Sequence, residues 1–257
     1  MSIHRMRFWL RRQLGRYVHA RLRRRVSPWS ARVPGAITLV IAPHPDDEAF
    51  GCGGLIAHRI SLGEELHVAY LTDGSASHPG HPEYPPAAIA SLRADEARVS
   101  TGSLGVSSSR LHFLGAPDGR LSHLDAPTRE DLIQKIAGLI EAVRPDELLI
   151  ASRHDGSSEH SGAAVLVQAA LATIAARPRL LEYQVWSRWN PRLAGPALRH
   201  ATAIYAHQLS PREAQLKSNA INVYRSQIEP LAPWHYSSLP PRFAEMFRPP
   251  VEFYFEF

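Results

Sequence analysis

Four groups able to bind a metal or move a proton stand within five residues of one another: His44, Asp46, Asp47 and Glu48, in the run Pro43-His44-Pro45-Asp46-Asp47-Glu48. Pro45 keeps His44 out of the helical region, so its imidazole stays at the tip of an extended segment. Asp46 and Asp47 then open a turn or helix, where the N-terminal dipole favours carboxylates. Neighbouring side chains in such a turn point in different directions. One aspartate can hold a cation while the other addresses its water, and Glu48 suits a structural partner or cap. A catalytic zinc takes three protein ligands and keeps a fourth position open. One histidine and one aspartate are therefore incomplete, and the missing ligand must come from another strand end. The segment Arg153-His154-Asp155-Gly156-Ser157-Ser158-Glu159-His160 offers two candidates, His154 and His160. Cys52 is the single cysteine, which excludes a thiolate metal cluster and an internal disulfide and fits a small packing residue.

These groups need a scaffold, and the apolar pattern supplies one. Ala36–Ala42 is a continuous apolar run that reads as a strand buried on both faces and feeds directly into Pro43-His44. Residues 66–72, 111–114 and 147–152 read as further strands, as do 180–186 and 201–206. Helical stretches lie at 53–61, 88–104, 129–143, 163–176 and 211–227. Strand–helix alternation implies an α/β fold: a mostly parallel, Rossmann-like sheet with helices on both faces. In such sheets ligands bind beyond the carboxyl ends of the strands, where His44 and the 153–160 segment both lie. The glycines at 51, 53 and 54 let the backbone pass close to a ligand or a strand. Gly51-Cys52-Gly53-Gly54 lacks the Gly-Lys-Ser/Thr ending of a phosphate loop. The final segment, Pro230–Phe257, is rich in proline and aromatics and is expected to wrap the body or pair at a sheet edge. His78 and His81 lie in a proline-rich loop over the cleft and read as solvent-exposed.

The net charge of +5 hides a division. Ten arginines fall in the first 32 residues and no acidic residue precedes Asp46, leaving 19 basic against 24 acidic residues in the rest. Residues 1–32 thus form a basic arm, Pro28–Pro34 a linker, and 33–257 a mildly acidic body. A nucleic-acid enzyme carries its basic residues around the cleft, so nucleic acid is not the expected partner. Met6, Leu10, Leu14, Val18 and Leu22 recur every four residues beside Trp9 and Tyr17, which predicts an amphipathic helix. Such a stripe packs on the body or another subunit, or lies on an anionic membrane. Neither a signal-peptide core nor a membrane span is present, which makes a cytoplasmic protein the expectation, with peripheral membrane contact through the arm, or an organellar transit role for it, as alternatives.

The motifs resemble those of the PIG-L/LmbE-like deacetylases. Pro43 to Glu48 followed by Gly51-Cys52-Gly53-Gly54 looks like the family's first motif, and the loop ending in Glu159-His160 resembles its second. Thr72-Asp73-Gly74, Arg93 with Glu96, Pro117-Asp118-Gly119, and Lys217 with Ser226-Gln227 match in order from about residue 36 onward. The resemblance implies Zn2+, with Fe2+ an alternative, on His44, Asp47 and His160, and Asp46 as the base that activates water. It implies removal of an acetyl group from an N-acetylated sugar or glycoconjugate. A zinc amidase on a sugar–amino acid or thiol conjugate uses the same site, and a catalytically weakened metal-binding scaffold is a third reading. The family's second motif has a histidine where this chain has Ser157, and His154 is the residue nearby that can replace it. Arg93 and Asp118 are candidate substrate contacts, although Arg93 by pattern alone pairs with Glu96 on a helix surface. Asp73 is a candidate for substrate binding or for support of the metal ligands.

Overall fold

The structure, a computed structural model, describes residues 3–27 and 35–257, with side chains from Arg5 onward; the expected linker Pro28–Pro34 and the 32/33 boundary lie outside them. In chain order the elements are α1 (Ile3–Arg23), β1 (Thr38–Ala42), α2 (Asp47–Ser61), β2 (Leu66–Thr72), α3 (Pro86–Ser103), β3 (Leu111–Ala116), α4 (Ala126–Val143), β4 (Glu147–Ala151), α5 (Ser158–Thr173), β5 (Arg179–Tyr183), α6 (Trp186–Trp189), α7 (Ala194–His200), β6 (Ala203–Gln208), α8 (Pro211–Val223), α9 (Arg225–Ile228) and β7 (Val251–Glu256). The sheet runs β3-β2-β1-β4-β5-β7-β6. Pairings among β1 to β5 are parallel, and β7 is antiparallel to both its neighbours.

Strand side chains alternate between two cores. Val40, Ala42, Leu149 and Ala151 meet α2, α3 and α8 on one face. Leu39, Ile41, Leu148 and Ile150 meet α4 and α5 on the other. Burial on both faces is why β1 and β4 read as unbroken apolar runs rather than alternating ones. The order leaves β1 with β2 on one side and β4 on the other, so the chain changes winding direction between β1 and β4. A crevice opens at such a switch point, outside the carboxyl ends of the strands. Both metal-ligand candidate segments leave the sheet there.

Four expectations are corrected. First, α2 and α5 begin earlier than their apolar stretches, at Asp47 and Ser158, because their polar first turns belong to the helices. Second, residues 251–256 do not close an edge; β7 inserts between β5 and β6. Third, the buried face of α1 is Phe8, Gly15, Val18 and Leu22, whereas Met6 and Leu10 are exposed. Each i+4 step overshoots a helical turn by about 40°, so a strict period of four drifts about 160° between positions 6 and 22. Val18 and Leu22 pack on β6 and β7, and full burial of such a side chain contributes about 1.5–3 kcal/mol. Fourth, His78 and His81 are buried, their rings 5.6 and 4.8 Å from that of Trp234. Among the described residues no helix is long and apolar enough to cross a membrane.

Candidate metal centre

β1 ends at Ala42 and delivers His44 to the crevice, with Pro43 O accepting from Thr72 N (3.0 Å) at the end of β2. The chain then turns sharply at Asp46, whose φ of 133° is one that side-chain-bearing residues rarely adopt. Such a conformation costs of order 1–3 kcal/mol and persists only where its surroundings enforce it. Here two contacts do so. The Glu48 carboxylate accepts the Asp46 N–H at 3.1 Å and is itself bonded by Tyr224 OH. Arg93 donates to Pro45 O and to Gly74 O, and its Nη2 lies 3.2 Å from Asp46 Oδ2. The turn aims Asp46 and Asp47 apart, as their adjacency predicts. Beyond it, Gly51 passes the ring of Tyr183 so closely that a Cβ would sit 2.1 Å from a ring carbon. Only glycine lets α2 approach β5 at this point.

His160 arrives from the other side of the switch point. Ser157 caps α5 by accepting from His160 N at 3.4 Å, which sets the first helical turn and the fully buried imidazole on it. His44 Nδ1 lies 3.0 Å from Asp47 Oδ2, and His160 Nε2 lies 3.3 Å from Asp47 Oδ1. Ligand atoms of the three side chains lie within 4.8 Å of one another.

The far nitrogens of both rings face carboxylates. His160 Nδ1 is 2.9 Å from Asp155 Oδ2. Asp155 is itself fully buried and accepts from the backbone N–H groups of Val185, Trp186 and Ser187 at 2.9, 2.7 and 2.6 Å. His44 Nε2 is 3.2 Å from Asp118 Oδ1 and 3.8 Å from Glu159 Oε2. Asp118 accepts from Ala76 N, and Glu159 from Gly119 N and Leu121 N.

A carboxylate behind each imidazole fixes tautomer and ring direction, the usual support for metal-binding histidines. His160 Nε2 is buried and has no hydrogen-bond partner. It is an unsatisfied donor or acceptor aimed at Asp47, a position whose cost a cation removes. Two imidazoles and a carboxylate match a zinc or ferrous site with three protein ligands.

Burial alone lowers both imidazoles, but Asp118, Asp47 and Glu159 hold His44 well above its usual range, and chiefly the Asp47 charge brings His160 to about 9. Burial pushes Asp47 up, but the charges and hydrogen bonds of His160 and His44 together outweigh it and hold the carboxyl low. Asp46 goes the other way. Burial pushes its carboxyl up to about 8, against the pull of Arg93 and His44 and with the push of Asp47.

A cavity of about 500 Å³ opens over these groups, with His44, Asp46 and Asp47 in its floor and Trp186, Phe243 and Leu239 in its wall. The geometry brings His44, Asp46, Asp47 and His160 together and adds Arg93 and Asp118. Arg93 is 3% exposed against Asp46, and Glu96 pairs with Ser226 instead; the expected surface pair does not form. Asp73 accepts from Ser75 N in a local turn and does not line the cavity. His154 does not line it either. Its ring lies 5.1 Å from Phe257 and 5.9 Å from His200. Asp155, behind His160, and Tyr224, on Glu48, are contacts of the candidate site that sequence reading did not assign, while Glu159 was read only as part of the second motif. Only the position of Asp155, five residues before His160 on the same loop, hinted at its role.

Residues 39–171, more than half of the chain, match the PIG-L family, described as GlcNAc-PI de-N-acetylase. Among solved structures, the conserved protein TT1542 from Thermus thermophilus is 27% identical, with TM-score 0.56 over 75% of this chain and 80% of that one. The N,N'-diacetylchitobiose deacetylase of Pyrococcus horikoshii is 21% identical, with TM-score 0.54 over 76% and 71%. The 4-carboxy-2-hydroxymuconate hydratase GalB of Pseudomonas putida is 18% identical, with TM-score 0.62 over 82% of each chain. No curated protein sequence matches.

Proposed function

The chain belongs to the PIG-L family, and on that premise we propose that it is a metal-dependent hydrolase that removes an acetyl group from the amino group of an N-acetylated sugar or glycoconjugate. One observation carries the reading. His44, Asp47 and His160 converge with a carboxylate behind each imidazole, and Asp46 stands beside them on an open cavity. The amino-sugar assignment is supported by the family's description and by the diacetylchitobiose deacetylase of like fold.

His44, Asp47 and His160 would hold Zn2+ or Fe2+, which when bound would polarise an amide carbonyl and lower the pKa of water from about 15.7 toward ~7. Asp46 takes the proton as the water oxygen bonds to the acyl carbon. It returns that proton to the nitrogen as the C–N bond breaks, leaving a free amine and acetic acid, whose remaining proton passes to the amine or to solvent to give acetate. A carboxyl pushed toward the working pH suits a group that must accept and give back one proton. Arg93 and Asp118 were candidate substrate contacts; because Arg93 Nη2 faces Asp46 and Asp118 Oδ1 faces His44, we propose that they act as positioning residues. Trp186 and Phe243 give the cavity an apolar wall against which a sugar face or acyl chain packs.

The test is metal analysis joined to amine release from a panel of N-acetyl sugars. Asp46→Asn is expected to keep the metal and lose about 10²–10⁴-fold in turnover. Unchanged turnover with the metal in place overturns the assignment of the base. A metal-binding domain without turnover is favoured by one observation: Ser157 stands at the family histidine position as a helix cap, and the cavity lining holds no histidine besides His44. Full occupancy without amine release from any N-acyl compound, amino-acid and thiol conjugates included, is its signature.

For α1 we propose contact with an anionic lipid surface or a lipid-linked substrate. Trp9, Leu10 and Tyr17 are each more than half exposed on a helix otherwise lined with arginine. The full chain is expected to sediment with anionic liposomes, and a variant lacking residues 1–27 is not. Equal partitioning removes the idea.

A further inference from the structure

Far from the crevice, three elements bring a second set of nitrogen and oxygen ligands together. His58 stands in the last turn of α2, His207 near the end of β6 and Glu213 in the first turn of α8. His58 Nδ1 lies 2.7 Å from Glu213 Oε1, and His207 Nε2 lies 3.4 Å from Glu213 Oε2. The two imidazole centroids are 4.7 Å apart, and one ligand atom from each residue lies within 4.8 Å of the others.

The carboxylate is already oriented before any ligand arrives. Ser210 Oγ accepts from Glu213 N, and Glu213 Oε2 accepts from Ser210 N at 2.7 Å. That capping box fixes both oxygens toward the histidines. His207 Nε2 is the atom left over. It is buried, faces Glu213, and makes no hydrogen bond. A paired His–Glu–His triad held by protons alone leaves that nitrogen unsatisfied, at a cost of roughly 1–3 kcal/mol for a buried polar group. A cation among the three removes the defect. His58, with its side chain 35% exposed, keeps the cluster open to ions from solvent, while His207 and Glu213 at 13% hold it rigid.

We propose that His58, His207 and Glu213 form a second divalent-cation site, one that takes Zn2+ or a cation of similar preference for two imidazoles and a carboxylate. The site is distinct from the crevice. His58 lies eleven residues along α2 from Asp47, a rise of about 16 Å in a helix. Occupation ties the end of α2 to β6 and α8, so a cation there braces the helix whose other end presents Asp47.

The experiment uses the full chain, stripped by chelation and titrated with Zn2+, with calorimetry and bound-metal analysis as readouts. The wild type is expected to take two equivalents. His58→Gln is expected to take one and to keep its N-acyl hydrolysis, His160→Ala to take one and lose hydrolysis, and the double variant to take none. A wild type that binds one equivalent, lost in His160→Ala and kept in His58→Gln, overturns the second site and leaves the first intact. A single equivalent lost in His58→Gln and kept in His160→Ala supports this site and removes the other. Should His58→Gln fail to fold, anomalous scattering from zinc in wild-type crystals reads the position directly. A peak about 2.0–2.2 Å from His207 Nε2 supports the site, and a peak at His160 alone overturns it.

Discussion

The two histidine clusters at opposite ends of α2 have nearly the same donors and opposite surroundings. At the N-terminal end, His160 and Asp47 are buried, and each imidazole is backed by a further carboxylate. At the C-terminal end, among the described residues, no second carboxylate hydrogen-bonds either ring, and one ring is a third exposed. What separates the proposed catalytic centre from the proposed tether is therefore the layer behind the ligands. The crevice invests Asp155, Asp118, Glu159 and Arg93 in aiming four groups, and it accepts a strained Asp46 to do so. The outer cluster has one cap, Ser210, and aims one carboxylate.

The sharpest way to break this contrast is to weaken the backing and leave the ligands. Asp155→Asn is expected to lower zinc affinity at the crevice by about 10–100-fold, the usual loss when a partner behind a ligand histidine is removed. Competition with a chromophoric chelator reads it. Affinity unchanged in Asp155→Asn removes the claim that the buried carboxylate orients His160.

A second measurement concerns protons. In the metal-free chain the raised imidazoles of His160, at about 9, and His44 are charged at neutral pH. Zinc binds only the neutral ring. Binding at pH 7 must therefore expel protons from the crevice, and affinity there should climb as pH rises toward about 9. Calorimetry in buffers of different ionisation enthalpy counts them. No release at pH 7 contradicts the proton-filled picture of the empty crevice.

How much of this was legible depended on whether the determining contact was local. β1 and the turn after it could be read because their signals lie in adjacent residues: an apolar run, a proline that fixes His44, and two consecutive aspartates. Asp155 could not, since it is defined by the N–H groups of residues 185–187, about thirty positions away. Arg93 reads as surface charge because helical arginines are mostly exposed; only the fold reveals the two carbonyls and the carboxylate that its Nη groups meet. The place of β7 was equally hidden, because an aromatic strand does not name its neighbours. The stripe on α1 misled for a geometric reason, the angular drift of a four-residue period.

The insertion of β7 has a consequence for synthesis. Among the described strands β6 pairs with β7, Val26 just after α1 bridges to Ile204 of β6, and α1 leans on both strands. Helix α1 therefore gains its complete packing surface only once residues 251–256 have entered the sheet. Until then a basic amphipathic segment and an unpaired strand are both exposed, and chaperones or a nearby anionic surface have their longest opportunity to engage the nascent chain.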